Sequence, residues 1–222
     1  MDVSEAYRLS RAQLVDQAAG LDESQAGAPV PATPGWSVKD AYAHLTGVTA
    51  DVLAGRMDDA GSPAWTARQV AERSDCSLAQ ICDEWAGRAE AFDAWLAEAG
   101  DPAMFCVYDV WTHQQDIQGA LGLDGVRDDR LEFLLERALI AFDDRLRRAA
   151  GPAIRIHGES QDRVIGAGET SVELRSGDYE IMRLLFGRRS RRQIDQWYWH
   201  GDWEPCLDHL HLFDLAEVSL ID

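Results

Sequence analysis

Asp109, His113 and Asp116 lie four and then three residues apart in the stretch FCVYDVWTHQQDIQGALG. In a helix this spacing sets all three side chains on one stripe. Cys106 and Ala120 extend the same stripe. A carboxylate and an imidazole one turn apart can hold a divalent cation together, as in the carboxylate–histidine sites of helical bundles. A third donor has to come from a facing helix. His44 offers one, three residues after Ala41 and four before Val48, on the apolar side of its own helical pattern. The competing reading is structural: a buried Asp–His hydrogen bond orients one helix, and His44 is a satisfied core residue.

Other reactive side chains are weaker candidates. Cys76, Cys82, Cys106 and Cys206 form no C-x-x-C pair and fit neither a zinc knuckle nor a disulfide framework, so free thiols packed as small hydrophobes are expected. Arg188, Arg189, Arg191 and Arg192 form a basic island in an acidic chain. An arginine fork suits a substrate carboxylate, and Arg188 and Arg189 are the candidates for that role. At least two of the four are expected to be a solvated helix start paired with nearby acids. Trp197, Tyr198, Trp199 and Trp203 read as core of a small domain. Asp208, His209 and His211 could form a second ligand cluster only on a strand, where His209 and His211 would share a face. His157 and His200 receive no role.

The elements that must position these residues follow from apolar periodicity. A first helix is predicted over 4–20, followed by a Pro/Gly-rich loop, AGAPVPATPGW. Ser37 with Asp40 three residues on marks the start of a second helix, and Val38, Ala41, Leu45, Val48 and Val52 form its apolar face. Residues 60–76 read as irregular or partly helical. A third helix is predicted over 77–99, a fourth over 103–121 ending at Gly122, and a fifth over 128–149, stopped by Gly151 and Pro152. IRIHGE (154–159) and TSVELRSG (170–177) alternate like half-buried strands, and 178–186 and 190–199 look helical. The division expected is a helical bundle over 1–150 and a small α+β region over 151–222.

Three segments, in order, carry a family resemblance. TPGWSVKDAYAHLTG (33–47) has a Pro-Gly-Trp-Ser start and then a His-Leu pair; YDVWTHQQDIQGALG (108–122) has an acidic residue four before a histidine, then Asp-Ile and Leu-Gly; LLFGRRSRRQIDQWYWHGD (184–202) has a Gly-Arg turn, a short helix and Gly-Asp. Together they resemble the mycothiol-dependent maleylpyruvate isomerase and DinB-like group. The resemblance implies a mainly α fold: a DinB-like four-helix bundle holding one divalent metal, commonly zinc, followed by a small α+β domain. It places the ligands on His44, Asp109 and His113. Asp116 is then an orienting neighbour rather than a fourth ligand. Characterised isomerases of the group carry Glu where this chain has Asp109, one methylene shorter. The implied chemistry is activation of mycothiol or another low-molecular-weight thiol at the metal, for isomerisation or S-transfer on a small electrophilic substrate. A non-catalytic metal- or ligand-binding member of the same fold is the alternative.

Whole-chain properties narrow the field. At 222 residues, 46% hydrophobic and 27% charged, the chain can bury a real core. Its formal net charge of −18 disfavours nucleic acid and anionic membrane surfaces as partners. No apolar run approaches the ~20 residues of a membrane span, and no basic head or apolar h-region opens the chain. A cytoplasmic location is the expectation.

Overall fold

Helix starts in this protein are set by short side chains that accept from the first free backbone N–H groups. In the computed structural model, which describes residues 1–149 and 151–222, Asp2 caps α1 (Val3–Ala18) by accepting from Glu5 N. Asp22 and Gln25 form a capping box on the short α2 (Glu23–Ala26). Ser37 and Asp40 do the same for α3 (Val38–Ala54), which ends at Gly55 with φ +69°. Ser62 followed by Pro63 opens α4 (Pro63–Ala71), and Ser77 opens α5 (Leu78–Gly87). α6 (Ala89–Ala99) follows almost directly, then a single 3-10 turn (Asp101–Ala103) leads into α7 (Met104–Ala120).

The predicted 77–99 helix is therefore two helices. At Arg88 the N–H bonds to Trp85 O, three residues back rather than four, and φ is −101°. Gly87, next to the break, brings no Cβ to hold the helical geometry. The buried residues Leu78, Ile81, Trp85, Phe92 and Leu96 still fall inward as one stripe. The partly helical reading of 60–76 resolves into α4, with Trp65 and Gln69 buried.

Within the first compact unit, Met1–Val126 with the terminal Asp222, α1 packs on α5, α6 and α7, and α3 packs on α4, α5, α6 and α7. This is a four-helix bundle whose third member is broken into α5 and α6. A buried polar knot ties three of its members. The Trp85 indole N–H reaches Tyr7 Oη at 3.1 Å and Thr49 Oγ1 at 3.0 Å, and the two hydroxyls lie 2.9 Å apart. Every polar atom of the knot is thus matched inside the core, as burial requires.

The second unit spans Arg127–Ile221. It begins with α8 (Asp129–Ala149), which packs on strand β2 (Asp162–Ile165) and on α9 (Asp178–Leu185). The sequence pattern groups this helix with the bundle; by its contacts it clusters with the sheet. Its apolar stripe, Leu131, Leu135, Ala138, Phe142 and Leu146, is buried as the spacing predicts. The sheet order is β2-β1-β3-β4, with β1 at Ala153–His157, β3 at Thr170–Arg175 and β4 at Tyr198–His200. β1 pairs antiparallel with β2 and parallel with β3, and β3 pairs antiparallel with β4. Ala153, Ile154, Ile156, Ile165, Val172 and Leu174 are its buried residues. The predicted 190–199 helix is instead a four-residue α10 (Arg191–Ile194) followed by β4, and a short α11 (Glu204–Leu207) comes after it. Tyr198 and Trp199 are bulky and suit a strand better than a helix.

Candidate metal centre

His44 sits mid-way along α3 and Asp109 and His113 on one face of α7, and the packing of these two helices brings them together. One ligand atom from each of the three lies within 4.8 Å of the other two. Among the described residues, this is the group of His, Cys, Asp and Glu side chains close enough to share an ion. The imidazole centroids of His44 and His113 are 5.0 Å apart, nearly perpendicular. Asp109 Oδ1 is 3.4 Å from His44 Nε2 and 3.6 Å from His113 Nε2.

The far side of each imidazole is engaged differently. His44 Nδ1 lies 2.7 Å from Oε1 of Gln69, a fully buried residue of α4. His113 Nδ1 lies 3.2 Å from Asp116 Oδ2, whose side chain is wholly buried, but the alignment does not make a hydrogen bond. Nε2 of each ring is turned toward Asp109, where its lone pair would be available to an ion when the ring hydrogen sits on Nδ1. Two imidazole lone pairs and a carboxylate converging on one point suit a divalent cation of the zinc type, and two nitrogens with one oxygen is a donor set such ions take.

Aromatic walls close most of the site. Trp36, from the Pro-Gly-Trp turn in which Gly35 has φ +90°, stacks on His113 at 5.7 Å and 27° and leans on His44 at 5.1 Å. Trp65 of α4 meets His44 edge-on at 6.1 Å. The side chains of His44 and His113 are 3% and 8% exposed, whereas that of Asp109 is 29% exposed, so solvent reaches the cluster from the carboxylate side. Three protein donors with an opening on one side leave room for a further ligand.

The profile of the mycothiol maleylpyruvate isomerase N-terminal domain matches residues 7–118, the span that holds most of α1, all of α3 and the three site residues. The chain belongs to that family. Two solved structures are similar over most of this isomerase-family chain: the mycothiol-dependent maleylpyruvate isomerase and a histidine-to-alanine mutant of it. Each has a TM-score of 0.55 at 15% identity, covering 83% of this chain and 88% of the other. At that identity the likeness is one of fold. No curated protein matches the sequence significantly.

The remaining candidates separate clearly. Cys106 is 1% exposed, and burial, with the Asp109 charge as a smaller cause, pushes its thiol well above the usual range. Cys82 and Cys206 are also buried and pushed up to about 11, mainly by burial. All four cysteines are free. Asp208, His209 and His211 form no ion-sized group among the described residues, and His211 Nδ1 lies 2.8 Å from Phe213 O. Arg191 pairs with Asp195 and Glu204, the solvated arrangement expected for part of the island. Arg188 and Arg189 are buried in the second unit. The Arg189 fork grips Glu180 at 2.6 and 2.9 Å, and Arg188 Nη1 donates to Phe186 O. Trp199 stacks on Trp203 at 4.6 Å, but Trp197, Trp199 and Trp203 are only half-buried and Tyr198 is exposed, so the aromatic run is not core.

Sequence reasoning missed Gln69, Asp51 and Trp65. The Ser62-Pro63 pair, an N-cap followed by proline at the first helical position, was the available signal for the helix that carries two of them.

Proposed function

We propose that this protein is a divalent-metal-dependent, low-molecular-weight-thiol-dependent isomerase or S-transferase acting on a small electrophilic substrate. The observation that carries the reading is the convergence of His44 Nε2, Asp109 Oδ1 and His113 Nε2 on one solvent-reached point within a family of mycothiol-dependent isomerases. His44, Asp109 and His113 would hold the ion, with zinc the expected metal. A bound cation of this kind lowers the pKa of a thiol that coordinates it, supplying a thiolate at neutral pH. The residues do the rest. Asp109 faces the open side, where a thiol such as mycothiol can enter. Trp36 and Trp65 keep water from the histidine faces. Asp116 lies against the far nitrogen of His113 and would orient it. Arg188 and Arg189 remain the candidates for a substrate carboxylate, although Glu180 already occupies the Arg189 fork. Cys106 lies on the ligand stripe one turn before Asp109, but its thiol is buried and raised well above its usual range, which favours an added thiol as the nucleophile.

The test has two parts. Purified protein is assayed for bound zinc, and His44→Ala and His113→Ala should each remove most of it, while Asp116→Ala weakens binding by only about 10–100-fold. Metal-loaded protein is then assayed with a panel of thiols and small electrophiles such as maleylpyruvate. Turnover should need both the metal and the added thiol. Asp116→Ala stripping the ion as fully as His113→Ala would overturn the ligand roles. Tight metal binding without turnover on the cognate thiols would favour a ligand-binding member of the fold.

A further inference from the structure

Gln69 uses both ends of its carboxamide. Oε1 faces His44 Nδ1 at 2.7 Å, and Nε2 donates to Asp51 Oδ2 at 2.8 Å. Asp51 is 1% exposed and is itself held by Arg56 Nε at 2.8 Å and Arg68 Nη2 at 3.0 Å. A carboxamide could in principle turn over and offer its NH2 to the imidazole instead. The Asp51 carboxylate accepts only, so it keeps the NH2 on its own side and leaves His44 facing an oxygen. An oxygen there can only accept. Nε2 faces a second acceptor, Asp109 Oδ1, at the longer distance of 3.4 Å; the closer 2.7 Å contact with Gln69 favours the hydrogen of a neutral His44 on Nδ1, which leaves the lone pair on Nε2.

The fit around Gln69 is tight. A Cβ added at Gly47 of α3 would lie 2.5 Å from Gln69 Cβ and 2.6 Å from its Cγ. The bare backbone at Gly47 is what lets the Gln69 stem approach α3 one turn beyond His44. By contrast, Asp116 near His113 is not aligned for a hydrogen bond. Of the two residues behind the imidazoles, Gln69 has the geometry that selects a tautomer.

We propose that Gln69, pinned by Asp51, is a positioning residue that holds His44 in the Nδ1–H tautomer and so presents Nε2 to the ion shared with Asp109 and His113. The proposal rests on the metal reading above, and its first readout is independent of the ion. Long-range 1H–15N spectra of metal-free, 15N-histidine-labelled protein report the tautomer of His44 directly. Wild type gives Nδ1–H; Gln69→Leu gives a mixture or Nε2–H. In a Zn2+ titration against a chromophoric chelator, Gln69→Leu raises the dissociation constant by about 10–100-fold. Gln69→Glu keeps an acceptor at the same reach while setting a second carboxylate against Asp51. It loses thermal stability yet keeps the tautomer and an affinity within several-fold of wild type. Asp51→Ala, which touches neither His44 nor the ion, removes the acceptor that holds the amide and gives a mixed tautomer with a smaller loss of affinity; it serves in place of Gln69→Leu if that variant does not fold.

A Gln69→Leu protein with unchanged tautomer and affinity would overturn the assignment. So would affinities that follow the melting temperatures of the variants rather than the presence of an oxygen at this position. If wild type binds no Zn2+, the proposed function fails, and the tautomer spectra still decide for or against the role of Gln69.

Discussion

At the scale of single residues, burial separates groups that can react from those that only pack. Cys82, Cys106 and Cys206 are enclosed, and burial raises all three thiols; Cys76 is partly exposed. The thiolate is the reactive form. A chromogenic disulfide reagent added to native protein at pH 7.5 should therefore titrate one thiol quickly, at Cys76, and the others only on unfolding; a Cys76→Ser variant with an undiminished fast phase would contradict this. Asp51 shows the opposite balance. Burial alone would raise its carboxyl, but hydrogen bonds from Gln69, Arg56 and Arg68 outweigh it and hold the group below its usual 3.8. A depressed carboxyl stabilises the fold fully above its unfolded value and loses that stabilisation as pH falls through its folded value. Asp51→Asn should thus be less stable than wild type at neutral pH, with the gap closing below about pH 4. Urea unfolding from pH 7 to pH 2.5 measures it, and a pH-independent gap would exclude the linkage.

Among the elements, what was legible in the sequence was what repeats or caps. The α3 stripe and its Ser37–Asp40 box, the α8 stripe, and the Asp109–His113 spacing all survive in the structure because local periodicity alone determines which face is buried. Less visible were features set by contacts distant in sequence. β2 is four residues long with one buried position, too short to show alternation. β4 owes its state to pairing with β3, which no local pattern reveals. Gln69 reads as one more polar side chain in a polar stretch until α4 lies across Gly47. That crossing yields a prediction. Gly47→Ala would drive a methyl into the Gln69 stem, displace α4 from α3 and cost about 1–3 kcal/mol of stability, as overpacking does. Metal affinity should fall with it, since Gln69 moves. Chemical denaturation with a parallel Zn2+ titration checks both, and a stable Gly47→Ala protein with intact binding would show that α4 tolerates the shift.

For the whole molecule, all three proposed ligands and both residues of the Gln69–Asp51 chain lie in the first compact unit, and α8 with the sheet forms the second. Val126 closes the first unit, its N–H donating to Gln115 Oε1 at 2.7 Å. A chain ending at Val126 should accordingly fold, give a helical circular-dichroism spectrum and bind Zn2+ within several-fold of the full-length affinity. Aggregation of that fragment, or loss of the ion from it, would contradict this. No helix among the described residues is long and apolar enough to cross a membrane. The contact of Trp36 and Trp65 with the two imidazoles has a practical outcome as well. Of the eight tryptophans, these two stand against the histidine rings. An open-shell ion seated there, Co2+ or Cu2+, would drain their excited states, and Zn2+ would not. The intrinsic emission of the protein would therefore gauge which added ion occupies the proposed site, readable without label, assay or substrate.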